Sequence, residues 1–396
     1  MTARHQERVN VLDRHPASNI DWQFGTGLVK VPPPHAPRSF LMHNHTIAVA
    51  LALTLAACDG SGTTPSGGGG SGGAGGVGGA GGDTTGGAPA GGQGAGFTGE
   101  SFSVTFDPVT VPAGEEDTKC VVKKLSNPAA IHVGQIHNEL GPGSHHLIVY
   151  RTDDTEEITE PFSCQPFSDL LDPSKGTPLM ITQKADDLLV LPQGVAFAIG
   201  QEQFVRLEMH YLNPTGAPLE VTATSTFYEM DEASFEHEAD FLFFGNPDID
   251  IPPNSSATLG PTFLPLPANL SESKFFGLTG HTHQFGTNVT VATSDTATGA
   301  QTLIYDVGNW QWEEPETVYL EPALEIPDGG GFHLTCEWNN TSSQNVQFGE
   351  SANAEMCFFW TYYYPSKGAF VCAHTDQVPG GFDLCCPGSP FCDQLF

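Results

Sequence analysis

From Phe97 onward no long stretch of the chain carries the 3.6-residue apolar period of an amphipathic helix. Short alternating runs recur instead, separated by Pro, Gly and Asn: Ser101–Phe106, Cys120–Leu125, His145–Tyr150, Phe204–Leu212 and Leu219–Tyr228. Alternation puts successive side chains on opposite faces, so each run reads as a strand with one face buried. Asp231-Glu232-Ala233 interrupts the pattern. It then restarts through Phe241–Phe244, Ser256–Leu259, Lys274–Leu278, Asn288–Thr293, Thr302–Val307, Gly331–Trp338 and Met356–Tyr364. Many short strands with turn signals between them predict an all-β chain of two tandem antiparallel jelly-roll-like sandwiches. The predicted domains span 98–232 and 233–365, and a Cys-rich tail covers 366–396.

The residues before them are of another kind. The apolar run Ile47 to Leu55, ending in Ala56-Ala57-Cys58, is too short to span a bilayer but has the length and small-residue end of a signal-peptide core. Leu55-Ala56-Ala57-Cys58 resembles the lipobox of bacterial lipoproteins, in which the Cys is lipidated, so residues 1–58 read as an extension plus signal segment. Residues 59–97 are Gly-rich strings with almost no large side chain to bury. They read as a flexible tether with a reach of roughly 35 Å. The expected location is therefore exported: lipid-anchored at a bacterial cell envelope or extracellular, with the anchor as the sole membrane contact.

A net charge of -32 with 14 Lys+Arg repels phosphate backbones and excludes nucleic acid as a partner. Eight cysteines follow the signal segment, an even number in an exported chain, and predict disulfides. Cys120 and Cys164 stand alone in the first half and are paired. Cys336 and Cys357 flank a hairpin or arch and are paired. Cys372, Cys385, Cys386 and Cys392 form two further bridges of open connectivity.

Within this frame a few histidines and one methionine carry chemistry. His281 and His283 sit at i and i+2 in a run that continues Thr287-Asn288-Val289-Thr290-Val291, read as one strand, so both imidazoles share a face. His145 and His146 are adjacent and should face opposite sides. A Gly141-Pro142-Gly143 lead-in permits a bulge that would turn both to one metal. His210 lies near the end of the strand Phe204–Tyr211, beside Glu208 and Arg206 on one face. Met356 lies in an aromatic-rich strand next to Cys357. Three histidines would give a nitrogen-only site. Two histidines with a thioether suit copper, above all Cu(I), whereas zinc more often recruits a carboxylate or thiolate.

In this order, Ser144-His145-His146-Leu147, Glu208-Met209-His210-Tyr211, Gly280-His281-Thr282-His283 and Glu355-Met356-Cys357 resemble the copper type II, ascorbate-dependent monooxygenases. The resemblance covers about 105 to 365. It implies two sandwiches facing one another across a cleft with two copper ions, an electron-transfer copper on His145, His146 and His210 and an oxygen-activating copper on His281, His283 and Met356. It also implies ascorbate or a similar one-electron reductant, dioxygen as co-substrate, and hydroxylation of a substrate C–H. The Cys336–Cys357 pair matches a family disulfide.

One departure bears on substrate. The peptide-hydroxylating branch has an Arg two residues before the first His of His-Thr-His, where it grips a carboxylate; here Thr279 stands there. Phe358 and Trp360 occupy positions that touch substrate in that branch. Strand alternation would point them the way of Met356. The expected substrate is a small neutral or aromatic molecule. The alternative is an exported copper-binding lipoprotein without turnover.

Overall fold

A computed structural model describes residues 97–164 and 175–387. They fall in the compact unit Thr85–Phe396. The signal segment, Cys58, nearly all of the tether and the end of the tail lie outside the described residues.

Strands account for most of what is described, as the alternation predicts. Two sheets build the first sandwich. One is six-stranded: Phe97–Val111, Leu219–Met230, Ile131–Leu140, Val195–Ile199 and His237–Glu238 in spatial order, with Asp186–Val190 added against Ile131–Leu140. The other is five-stranded: Ile158–Ser163, Glu116–Lys124, Phe204–Leu212, Ser144–Thr152 and Thr177–Thr182. The second sandwich has a six-stranded sheet, Thr317–Glu325, Lys274–His281, Phe358–Tyr364, Asp240–Gly245, Phe370–Thr375 and Phe382–Cys386. Opposite it lies a four-stranded sheet, Ser255–Pro265, Gly331–Asn340, Gly286–Ser294 and Thr302–Tyr305. Pairing is antiparallel apart from Asp240–Gly245 with Phe370–Thr375 and His237–Glu238 with Val195–Ile199. Two strands of the region set apart in the sequence as a Cys-rich tail thus complete a sheet.

The strand Phe358–Tyr364 explains how the sandwiches meet. Its sequence is apolar almost throughout and all but its last residue are buried. Phe359 and Tyr363 face the interior of the second sandwich with Phe275, Phe332 and Trp338. Phe358, Trp360 and Tyr362 face the other way and join the core of the first sandwich, where Tyr362 meets the ring of Phe197 edge-on at 6.3 Å. A sheet with two apolar faces needs cover on both, and the first sandwich supplies the second cover.

Disulfides tie Cys120 to Cys164, Cys336 to Cys357 and Cys372 to Cys385. Cys386 is disulfide-bonded as well. Such bonds persist in oxidising compartments, and they mark an exported chain. Among the described residues no helix is long and apolar enough to cross a membrane.

The ring edge of Phe358 lies against Gly245: a Cβ there would come within 1.8 Å of it. Gly245→Ala should therefore cost about 1–3 kcal/mol through overpacking. Gly216→Ala, at a position where a Cβ meets nothing within 4 Å, should not. Denaturant unfolding of the two variants side by side checks this, and equal midpoints would refute it.

Candidate metal centre

His145 and His146 turn to one side because the strand bulges at them. Ser144 pairs with Tyr211 and His146 with His210, which leaves His145 as the extra residue. Gly143 enters this bulge with φ +80°, and a Cβ there would strike Leu219 at 2.5 Å, so glycine serves both backbone and packing. The result is three imidazoles, from His145, His146 and His210, each offering a ligand atom within 4.8 Å of the others.

His281 and His283 are placed differently from the single strand predicted. The strand Lys274–His281 ends at His281. Residues 282–285 form a turn, closed by a hydrogen bond from Gly286 N to His283 O at 2.9 Å, and a new strand starts in the opposite sheet. Thr282 and Gly286 explain the corner. A Cβ on Gly286 would fall 1.9 Å from Thr282 Oγ1, and one on Gly280 would fall 2.7 Å from Val289. Glycine at both positions lets the chain cross between sheets at close range. The rings of His281 and His283 still meet, 5.1 Å apart and nearly perpendicular.

Tautomers follow from the acceptors, because an amide, carbonyl or carboxylate oxygen only accepts. His210 Nε2–H donates to Glu116 Oε1 at 3.0 Å, so its lone pair is on Nδ1. His281 Nδ1–H donates to Gln183 Oε1 at 2.9 Å, and His283 Nδ1–H to Ala354 O at 3.2 Å, so both present Nε2. Outer partners of this kind fix the orientation of metal-ligating histidines.

Burial holds the rings of His145, His146, His281 and His283 neutral. It pushes His145 down to about 3, helped by His210 and His283, and His283 down to about 4, helped by His210. Burial first, then the neighbouring histidines, puts His146 and His281 well below the usual range. A metal ligand must be unprotonated, and these are. His145 Nε2 and His210 Nδ1 are buried with no hydrogen-bond partner among the described residues. Unsatisfied buried polar atoms cost about 1–3 kcal/mol each. A metal ion at the three-histidine set would satisfy both, so the residues fit the group.

The two sets abut. His145 and His283 have ring centroids 6.2 Å apart, so no open cleft separates the sandwiches at this point. Met356 is fully buried. Its neighbour Glu355 gathers the second set: its carboxylate accepts from His283 N at 2.8 Å, Phe285 N at 2.7 Å, Trp338 Nε1 at 2.8 Å and Met356 N at 3.3 Å. Burial outweighs these donors and raises the Glu355 carboxyl to about 7.

Register places the remaining candidates around His281. Thr279 pairs with Trp360 and His281 with Phe358. The Phe358 and Trp360 rings each lie 6.4 Å from that of His281. Thr279 Oγ1 bonds Thr317 Oγ1 at 2.7 Å. Lys274, the nearest cation in sequence, is engaged at the surface with Glu325 at 3.2 Å.

Three residues of the site escaped the sequence reading: Glu116, Gln183 and Trp312. The Trp312 ring sits edge-on to His145 at 5.4 Å. Each acts across a long separation, and none carries a local motif. Cys120, Cys164 and Glu208 also cluster, but the two cysteines form a disulfide and offer no thiolate.

Residues 244–378 match the family model of the copper type II ascorbate-dependent monooxygenase C-terminal domain. That segment holds His281, His283, Met356 and the Cys336–Cys357 pair, and stops short of the first sandwich. Comparison with curated proteins gives no match. Among solved structures the chain is similar to the major capsid protein P2 of bacteriophage PM2, with 8% identity, 66% of this chain and 100% of that one covered, and a TM-score of 0.31. It is also similar to PNGase F, a glycosylasparaginase from Flavobacterium meningosepticum, with 12% identity, 68% and 97% covered, and a TM-score of 0.29.

Glu355→Ala strips the acceptor from four N–H groups at once. The expected loss is about 3 kcal/mol or more, with an altered near-ultraviolet signal from Trp338. A loss in denaturant unfolding below about 1 kcal/mol, the net worth of one ordinary hydrogen bond, would show that Glu355 does not organise the turn.

Proposed function

Taking residues 244–378 as the C-terminal domain of a copper type II, ascorbate-dependent monooxygenase, we propose that both sandwiches together form a monooxygenase with two copper ions. The observation that carries this reading is the meeting of buried, neutral imidazoles from both sandwiches at one place. His145, His146 and His210 would hold an electron-transfer copper; His281, His283 and Met356 would hold the oxygen-activating one. Copper so held, supplied with two electrons one at a time by ascorbate or a similar reductant, provides the chemistry that sends one atom of dioxygen into a substrate C–H bond and the other to water.

The chain's own residues do the rest. A nitrogen-only set and a set with a soft thioether favour different copper states, and the thioether suits Cu(I). Buried walls exclude water from the second set. Electrons passing between the sets have little more than two adjoining rings to cross. Thr279, Phe358 and Trp360 share the His281 face and bring no charge, so a small neutral or aromatic substrate fits better than one with a carboxylate, which calls for a bidentate cation.

The test is reconstitution with copper, an ion count, and a product screen under labelled dioxygen and ascorbate, with small aromatic compounds competing against a glycine-ended peptide. Expected are two coppers, label in an aromatic-derived product, and little turnover of the peptide. Met356→Ala should weaken copper at the second set, more for Cu(I) than Cu(II). One copper, or zinc in preference to copper, would refute the reading. Two coppers with no ascorbate-dependent oxygen uptake would instead describe an exported copper-binding protein.

Cys58 would carry the lipid anchor. Cys58→Ser should then move the protein from the membrane fraction to the soluble one, and identical fractionation of variant and wild type would rule the anchor out.

A further inference from the structure

Glu116 stands between the two ligand sets. It opens the strand Glu116–Lys124 of the first sandwich. Its Oε1 accepts from His210 Nε2 at 3.0 Å and also from Ala352 N at 2.9 Å, while its Oε2 accepts from Ser351 Oγ at 3.2 Å. Ser351 and Ala352 belong to the second sandwich, four or five residues before Met356. The residues between them are fastened to the other histidine turn: Asn353 Oδ1 accepts from Gln284 Nε2 at 2.9 Å, Ala354 O from His283 Nδ1, and Glu355 from three amides and an indole.

We propose that Glu116 is a positioning residue that couples the two metal sets, holding His210 of one and, through the segment 351–355, Met356 and His283 of the other. This rests on the reading of both sets as copper sites. The carboxylate acts twice. Toward His210 it accepts the Nε2–H in a charge-assisted bond, which fixes the tautomer and raises the basicity of Nδ1. Toward the second sandwich it anchors Ala352 N–H. From there the chain runs through three residues, each bonded to the turn of His283, to the thioether. A shift at 352 therefore cannot be absorbed before it reaches Met356. Glu116 touches no second-set ligand, yet it sets where that set's sulfur stands.

The variants are Glu116→Ala, Glu116→Asp and Glu116→Gln, each loaded with Cu(I) and read by X-ray absorption for sulfur scattering and by competitive titration for the second copper. Aspartate keeps the charge but is one methylene too short to reach both His210 and Ala352. Glutamine keeps the reach: its oxygen accepts from both, and its amide donates to Ser351 Oγ. Expected is loss of most of the sulfur scattering in the alanine and aspartate variants, with second-site affinity lower by about 10- to 100-fold, and retention of both in the glutamine variant. A residue that merely glued the sandwiches would lower stability and leave the sulfur signal alone. If the alanine variant does not fold, the aspartate variant decides. Full sulfur scattering and wild-type affinity in a folded alanine or aspartate variant would overturn the coupling alone. Absence of sulfur scattering from the wild-type protein would overturn the copper reading of the second set, and the coupling with it.

Discussion

The structure depends on a sheet that is apolar on both faces. Phe358, Trp360 and Tyr362 on one side and Phe359 and Tyr363 on the other leave the strand Phe358–Tyr364 no solvent face. Each large side chain so buried contributes about 1.5–3 kcal/mol, so docking of the first sandwich follows from the hydrophobic effect. The histidines are carried along by it. His281 lies opposite Phe358 in register on the face that docks, and the strands with His146 and His210 belong to the sandwich that docks against it. Apolar packing thereby offsets the cost of bringing polar rings out of water.

That cost is managed by acceptors rather than by counter-charges in contact with every ring. Gln183, Ala354 O and Glu116 each accept one N–H, so the second nitrogen of each ring is left to face the site. Two of these three acceptors serve a histidine of their own sandwich. The third, Gln183, comes from the first sandwich and serves the second set. Glu116 also reaches across, to Ala352 and Ser351. The second set therefore has its hydrogen bonding finished by the first sandwich, and it would lose the bond from His281 if the two came apart.

What the sequence made legible was local. Alternation over Phe204–Leu212 is the strand observed, to the residue. Gly141-Pro142-Gly143 before two histidines signalled a bulge, and the bulge is there. The pairings Cys120–Cys164 and Cys336–Cys357 are the ones formed. The reading of Gly277 to Val291 as a single strand failed, because its apolar alternation continues on both sides of the corner while the turn is made by Gly286 and Thr282. The supporting acceptors were invisible for a different reason. His210 is 94 residues from Glu116, and His281 is 98 from Gln183. A glutamate or glutamine at such separation has no periodicity or spacing to announce it; only the folded register brings it to its partner.

The walls of the site differ in what it would take to move them. Three are sheet or disulfide-linked core: the bulged strand of His145 and His146, the strand of Phe358 and Trp360, and the segment 351–357 pinned by Glu116, Glu355 and Cys357. The fourth is a connection, residues 306–316, between the strands Thr302–Tyr305 and Thr317–Glu325. It brings Trp312 against His145, and its polar ties are few. Trp310 Nε1 donates to Thr282 Oγ1 at 3.0 Å, Gln183 Nε2 to Trp312 O at 3.5 Å, and Lys184 pairs with Glu316 at 2.7 Å near the surface. A neutral hydrogen bond contributes about 0.5–1.5 kcal/mol net, and an exposed ion pair about 0–1. Breaking the ladders of the other walls would take many such bonds together with core burial. His145 is also the one histidine of the five that is not fully buried, and it lies under this connection. The Trp312 side is thus the wall held by the fewest such ties, with an aromatic ring set against His145.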